Sequence, residues 1–222
     1  MQARPWTSRR GRRRAAAAAL ALILAIGASV SCGQINSEGR SPSYLIIDSL
    51  TASSGASPDI FGNALESDVV TNKKVTINGQ DTYVATVFED VGKVLLKMAL
   101  KDVGGSNSPT TPTSTNAITV TRYHVDFKRS DGRNTQGVDV PYSFDGGATG
   151  TFAANGGLLS FILVRGQAKL EAPLKALRNN AGAIIISTIA EITFYGTDQN
   201  GNTVSVMGTI SVNFADWGDP SA

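Results

Sequence analysis

The sequence predicts an all-β fold: an antiparallel sandwich of two sheets with one short helix. Three observations predict it. Apolar residues recur at every second position over most of the chain, residue pairs that accept positive φ punctuate those runs, and only one short segment has helical character. A half-buried strand separates apolar from polar side chains in this way, whereas a helix of period 3.6 would mix them.

The first element precedes the fold. Residues 1–14 contain Arg4, Arg9, Arg10, Arg12, Arg13 and Arg14 and no acid, and an apolar run of about sixteen residues follows. A basic stretch, a short apolar run and then small residues is the layout of a secretory signal. The run falls short of the ~20 residues a comfortable membrane span needs. Ser8-Arg9-Arg10 has the twin-arginine dipeptide, but Arg12 and Arg13 occupy positions where that signal wants bulky apolar residues.

At the end of the run, Ala28-Ser29-Val30-Ser31-Cys32-Gly33 contains the chain's only cysteine and resembles a bacterial lipobox. Ser29 stands where the family prefers Leu. The resemblance implies a signal peptide over 1–31, diacylation of the Cys32 sulfur, and a membrane partner reached through that lipid anchor. Gly33 is similar to the residue found after the cysteine in lipoproteins sorted to the outer membrane, periplasmic or surface face, of Gram-negative cells. Two alternatives stay open: Ser29 and Ser31 also suit an ordinary signal peptidase, which gives plain secretion, and the apolar run could be retained as a helix.

Six of the 20 Lys and Arg lie in this leader, and none of the 18 Asp and Glu do. The formal charge therefore moves from +2 to −4 on cleavage, with 14 basic residues left. A mildly acidic exported chain without a Lys/Arg cluster excludes nucleic acid as a partner, since that requires a positive footprint. One cysteine cannot close an internal disulfide, and lipid on Cys32 leaves no free thiol in an oxidising compartment.

The lipidated N-terminus and a flexible tether are expected over 32–43, where "GQINSEGRSPS" is polar and aperiodic. A sandwich domain is expected over 44–218. Its clearest strands are "GKVLLKMALKD", with Val94, Leu96, Met98 and Leu100 on one face; "AITVTRYHVDFKR", with Tyr123, Val125 and Phe127 opposite Arg122, His124, Asp126 and Lys128; and "NTVSVMGTISVNF", with Val204, Val206, Ile210, Val212 and Phe214 inward. Further strands are expected at 44–50, 69–77, 82–89, 137–144, 149–153, 158–164 and 183–197. Polar stretches at 53–68 and 104–116 are expected as loops, the first with Ile60 and Phe61 tucked against the core, the second with a domain boundary as its alternative. Asn78-Gly79, Asp131-Gly132, Asp145-Gly146-Gly147, Asn155-Gly156 and Asn200-Gly201 mark turns. In "QAKLEAPLKALRNNAG", Pro173 limits the helix to a turn or two.

The ending "AEITFYGTDQNGNTVSVMGTISVNFADW" resembles the closing hairpin of bacterial immunoglobulin-like or fibronectin-like domains, and "VTRYHVDFKRSDGRN" resembles a central strand and turn of that fold. The resemblance implies an immunoglobulin-like sandwich and no catalytic residues. Trp217 lies too near the C-terminus to be the buried tryptophan of an antibody domain.

Little chemistry is expected. His124, the only histidine, falls on a polar strand face, and a triad or zinc site wants more. Glu89, Asp90, Asp126 and Glu191 are the candidate paired carboxylates of a glycosidase; the sequence alone reads them as scattered surface acids. "DQNGN", Asp198 to Asn202, alternates oxygen ligands as calcium loops do, but lacks the downstream glutamate and is explained by a hairpin turn. "GGATG" at 146–150 has no following lysine or helix and makes no phosphate cradle. No catalytic, cofactor or metal site is expected. Two function classes follow: a non-enzymatic envelope lipoprotein binding an envelope protein or glycan, or a carbohydrate-binding module or hydrolase. Phe127, Phe194 and Phe214 face inward, so a sugar platform would fall to Tyr142, Tyr195 and Trp217.

Overall fold

The computed structural model describes residues 39–180 and 182–217; the leader, Cys32, the tether up to residue 38 and the last residue of the expected domain lie outside the described residues. The described chain is all-β. Twelve strands follow in order: β1 (Ser43–Ser53), β2 (Ala64–Asp68), β3 (Thr71–Ile77), β4 (Gln80–Thr86), β5 (Asp90–Leu100), β6 (Gly104–Gly105), β7 (Ser108–Pro109), β8 (Ile118–Lys128), β9 (Phe144–Phe152), β10 (Gly157–Val164), β11 (Ile186–Asp198) and β12 (Thr203–Ala215). Among the described residues the single α-helix, α1, covers Gly166–Leu170, and a 3-10 turn at Leu174–Leu177 follows a cis Ala172–Pro173 bond.

Two sheets face each other, one ordered β1-β5-β10 and the other β2-β12-β11-β8-β9. The alternation read from the sequence sets the core between them: Val94, Leu96 and Met98 of β5 meet Val125, Phe127, Ile192, Phe194, Val212 and Phe214, all buried. At its centre the rings of Tyr123 and Phe194 pack on Phe161 at centroid separations of 5.2 Å each. The Ile162 amide of one sheet donates to the Tyr123 hydroxyl of the other at 3.1 Å, which satisfies a polar group inside the core.

Four expectations are corrected. The loop expected over 53–68 contains β2, which runs parallel to β12 at the sheet edge while the other main pairings are antiparallel. Ala64–Asp68 carries Ser67 and Asp68 as inward residues, so its polarity hides a strand. Ile60 is 73% exposed instead of tucked in, and Phe61 lies beneath the Lys93 ammonium, 3.7 Å from its ring centroid. The segment expected as a strand at 137–144 makes only the isolated bridge Gln136–Val140 before β9 begins.

Asp145-Gly146-Gly147 is the fourth: it lies inside β9, not in a turn. Gly146 is needed there because any Cβ would fall 2.2 Å from the Tyr123 ring. Asn78-Gly79 is a true hairpin turn, with φ of 52° and 79°. It joins β3 and β4, which pair only with each other.

Candidate functional site

Two charged clusters flank the β1–β5 ladder at opposite ends, since Ser53 pairs with Val91 at one end and Ser43 with Leu100 at the other. The first is closed. Asp90 opens β5 and Lys169 belongs to α1; their side chains are 0% and 1% exposed, with Nζ 2.8 Å from Oδ1. Ser67 of β2 donates to Asp90 Oδ2 at 2.6 Å and the Gly55 amide to Oδ1 at 2.9 Å. Burial pushes the Asp90 carboxyl above the ordinary aspartate range, against the pull of the ammonium, the hydroxyl and the amide.

A serine, a lysine and an aspartate in one cluster invite a nucleophilic reading, and the geometry opposes it. The Ser67 hydroxyl is committed to a carboxylate that has no exposed surface, and neither of the two surface clefts described below is lined by Ser67, Asp90 or Lys169. The cluster is a clamp: it ties β2, β5, α1 and the 54–57 turn together. The sequence marked Asp90 only as half of an acidic pair with Glu89, which the structure separates, since Glu89 is exposed.

The second cluster is open. A cleft of about 710 Å3 lies where the chain enters β1, bounded by Gly39, Ser41, Ser43 and Tyr44 on one side and by β8, β11 and β12 residues on the other. Its volume falls within the roughly 300–1,000 Å3 of small-ligand sites. A bulge shapes it: pairing shifts register between Val120 and Arg122 on both sides of β8, so Thr121 and Arg122 are both exposed. The Arg122 guanidinium stacks on the Tyr195 ring, 3.8 Å from its centroid, and its NH1 donates to Asp145 Oδ1 at 3.1 Å. Lys101 Nζ donates to the Gly39 carbonyl at 2.9 Å.

The floor beside this cleft is the β11–β12 turn. Asp198 Oδ1 accepts the Asn200 and Asn202 amides at 2.9 Å each, and Oδ2 accepts Asn202 Nδ2 at 2.8 Å. Burial raises the Asp198 carboxyl, but these bonds and the Ser41 hydroxyl outweigh it and hold it below the ordinary range. Both Asp198 carboxylate oxygens are thus spent on the turn. Among the described residues no group of three or more His, Cys, Asp or Glu could hold a metal.

The remaining candidates separate. His124 Nδ1 lies 3.3 Å from Asp145 on the outer sheet face. Asp126 and Glu191, which the sequence left unconnected, are direct cross-strand neighbours. Asp126 is engaged by Lys128 Nζ at 2.5 Å, and that bond pushes the Lys128 ammonium up. "GGATG" runs through β9. Tyr142 is exposed and stands over Gly137. Trp217 lines a second cleft, of about 530 Å3, with Ile60 and Leu65. Of the three aromatics named from sequence, only Tyr195 joins the larger cleft; Tyr44, 43% exposed, is the ring the sequence missed, and its place at the start of a strand next to the tether was the available signal.

Fold and site together define an all-β sandwich with one closed ionic clamp and one open, polar cleft. The chain matches no family model, and no curated protein or solved structure is significantly similar to it.

Proposed function

We propose that this chain is a non-enzymatic lipoprotein of the cell envelope, exported by its leader, anchored through diacylated Cys32, and serving as a binding module. One observation carries the binding half: the open cleft is built partly from Gly39, Ser41 and Ser43, which belong to the last residues of the expected tether. Seven peptide steps separate Cys32 from Gly39, a reach of at most ~25 Å. A lipid anchor at Cys32 would therefore hold the cleft close to the membrane surface, facing envelope components. In a Gram-negative cell that surface is the outer membrane.

The carbohydrate-binding alternative is favoured by Tyr44 and Tyr195, two rings at the same cleft. Its hydrolytic version has less behind it, because the Asp126–Glu191 pair lies on a sheet face with Asp126 neutralised by Lys128.

The test is the intact mass of the protein recovered from the host's membrane fraction, with fragmentation of its N-terminal peptide. The expected result is a chain starting at Cys32 and carrying diacylglycerol. An unmodified start, or an intact arginine-rich leader, overturns the anchor.

A further inference from the structure

We infer that the tether-end cleft binds an acidic saccharide, a sugar ring bearing an anionic substituent. This deepens the binding-module proposal and rests on it. The lining includes two cations, Lys101 and Arg122, and no carboxylate. Two acids stand just outside that lining, Asp145 paired with Arg122 and Asp198 in the adjoining turn, so Lys101 is the lining cation with no salt-bridge partner among the described residues. Lys101 spends one donor on the Gly39 carbonyl, which leaves ammonium N–H donors for a ligand. Arg122 is anchored on one side by Tyr195 and by a single bond to Asp145, which leaves guanidinium N–H donors for a ligand oxygen.

The rest of the lining fits a sugar better than a bare anion. Tyr44 offers an aromatic face at the rim, and Tyr rings combine apolar area with a polar tip at low conformational cost. Hydroxyl and backbone groups dominate the remainder. Ser43 is 1% exposed, lines the cleft, and its Oγ has no hydrogen-bond partner among the described residues. A buried hydroxyl without a partner is unfavourable, and a small shift of the cleft wall that uncovered this Oγ would let a ligand oxygen satisfy it. An acyl chain would meet as much polar as apolar surface here.

The experiment uses the full mature chain and isothermal titration with three probes: trigalacturonate, its fully methyl-esterified and therefore neutral counterpart, and inorganic phosphate. The expected result is binding of the uronate, at least tenfold weaker binding of the ester, and no measurable binding of phosphate. Lys101→Met, Arg122→Gln and Tyr44→Ala should each weaken the uronate at least tenfold with the melting temperature kept. Equal affinity for ester and uronate overturns the acidic assignment while the cleft stays a binding site, provided Tyr44→Ala weakens both. Phosphate binding as tightly as the uronate overturns the saccharide, and uronate binding that ignores all three substitutions overturns the location. No binding of any probe overturns the inference outright; a Cys32 lipid found in the same preparation would leave the anchored-envelope proposal standing.

Discussion

The two ends of the β1–β5 ladder use the same vocabulary of lysine, aspartate and serine to opposite effect. At the Asp90–Lys169 end every polar atom of the ion pair faces another protein atom and water is excluded. At the Lys101–Arg122 end the cations stand in an open cleft beside an unsatisfied hydroxyl. Proximity of reactive residue types is therefore a poor guide to a site. Access and spare hydrogen-bonding capacity decide it, and the Asp90–Lys169 pair has neither.

Breaking the closed end should have the largest effect. Lys169→Met leaves Asp90 buried without its counter-charge, a change that costs about 3–5 kcal/mol. The loss should also depend on pH. Burial already raises the Asp90 carboxyl, and removing the ammonium raises it further. Below its folded-state pKa the native form keeps the proton that the unfolded chain gives up near pH 4, so the variant should lose stability as pH rises. Urea melts at pH 5 and pH 8 would show this as a lower midpoint at pH 8. Adding Asp90→Leu should restore part of the loss, because it removes the unpaired charge but leaves the Ser67 hydroxyl and the Gly55 amide without their acceptor. A double variant as unstable as the single one would mean that the clamp is needed for more than charge compensation.

A smaller effect is expected in the aromatic core between the two ends. The Cβ of Gly92→Ala would fall 2.3 Å from Phe161, so the ring must move out of its packing with Tyr123 and Phe194. The expected cost is about 1–3 kcal/mol by thermal denaturation. No change would show that the core has slack the structure conceals.

How much of this was legible in the sequence follows from what each feature depends on. β5, β8, β11 and β12 depend on local alternation, and Val94 to Met98 or Phe127, Phe194 and Phe214 were placed on the correct face. β2 depends on burying Ser67 and Asp68 against Asp90 and Trp217, partners distant in sequence, so its own residues look like a loop. Gly146 has the residue type of a turn for a different reason, the ring of Tyr123. Lys169 sits in a helix of five residues, too short for periodicity to reveal a buried face. The cleft joins Gly39 to Ser205 across four strands, and no local pattern could have assembled it.

At the turn under the cleft the effect should be smaller again. Asp198→Asn keeps an acceptor for the Asn200 and Asn202 amides but loses the charge and sets an amide against Asn202 Nδ2. About 1–2 kcal/mol should be lost at pH 7. A carboxyl held below its ordinary range contributes stability above the unfolded value of ~3.9, and that contribution disappears as pH falls through the folded value. The parent should therefore lose stability between pH 5 and pH 2 faster than the variant, and parallel acid melting curves would show that the turn bonds do not depend on ionisation.

The smallest stability effect belongs to the open end, and it sharpens the contrast most. Arg122 and Asp145 are 54% and 62% exposed, so water competes for both partners and salt screens the pair. Its contribution to folding should be within ~0.5 kcal/mol, and Arg122→Gln should melt within a degree or two of the parent. If so, the arginine is held over Tyr195 for a reason other than folding, and a variant that keeps its melting temperature while losing the uronate would identify that reason as ligand contact. A clear loss of stability in Arg122→Gln would instead make the stack a structural brace over the β8 bulge, and the two ends of the ladder would then differ in exposure alone.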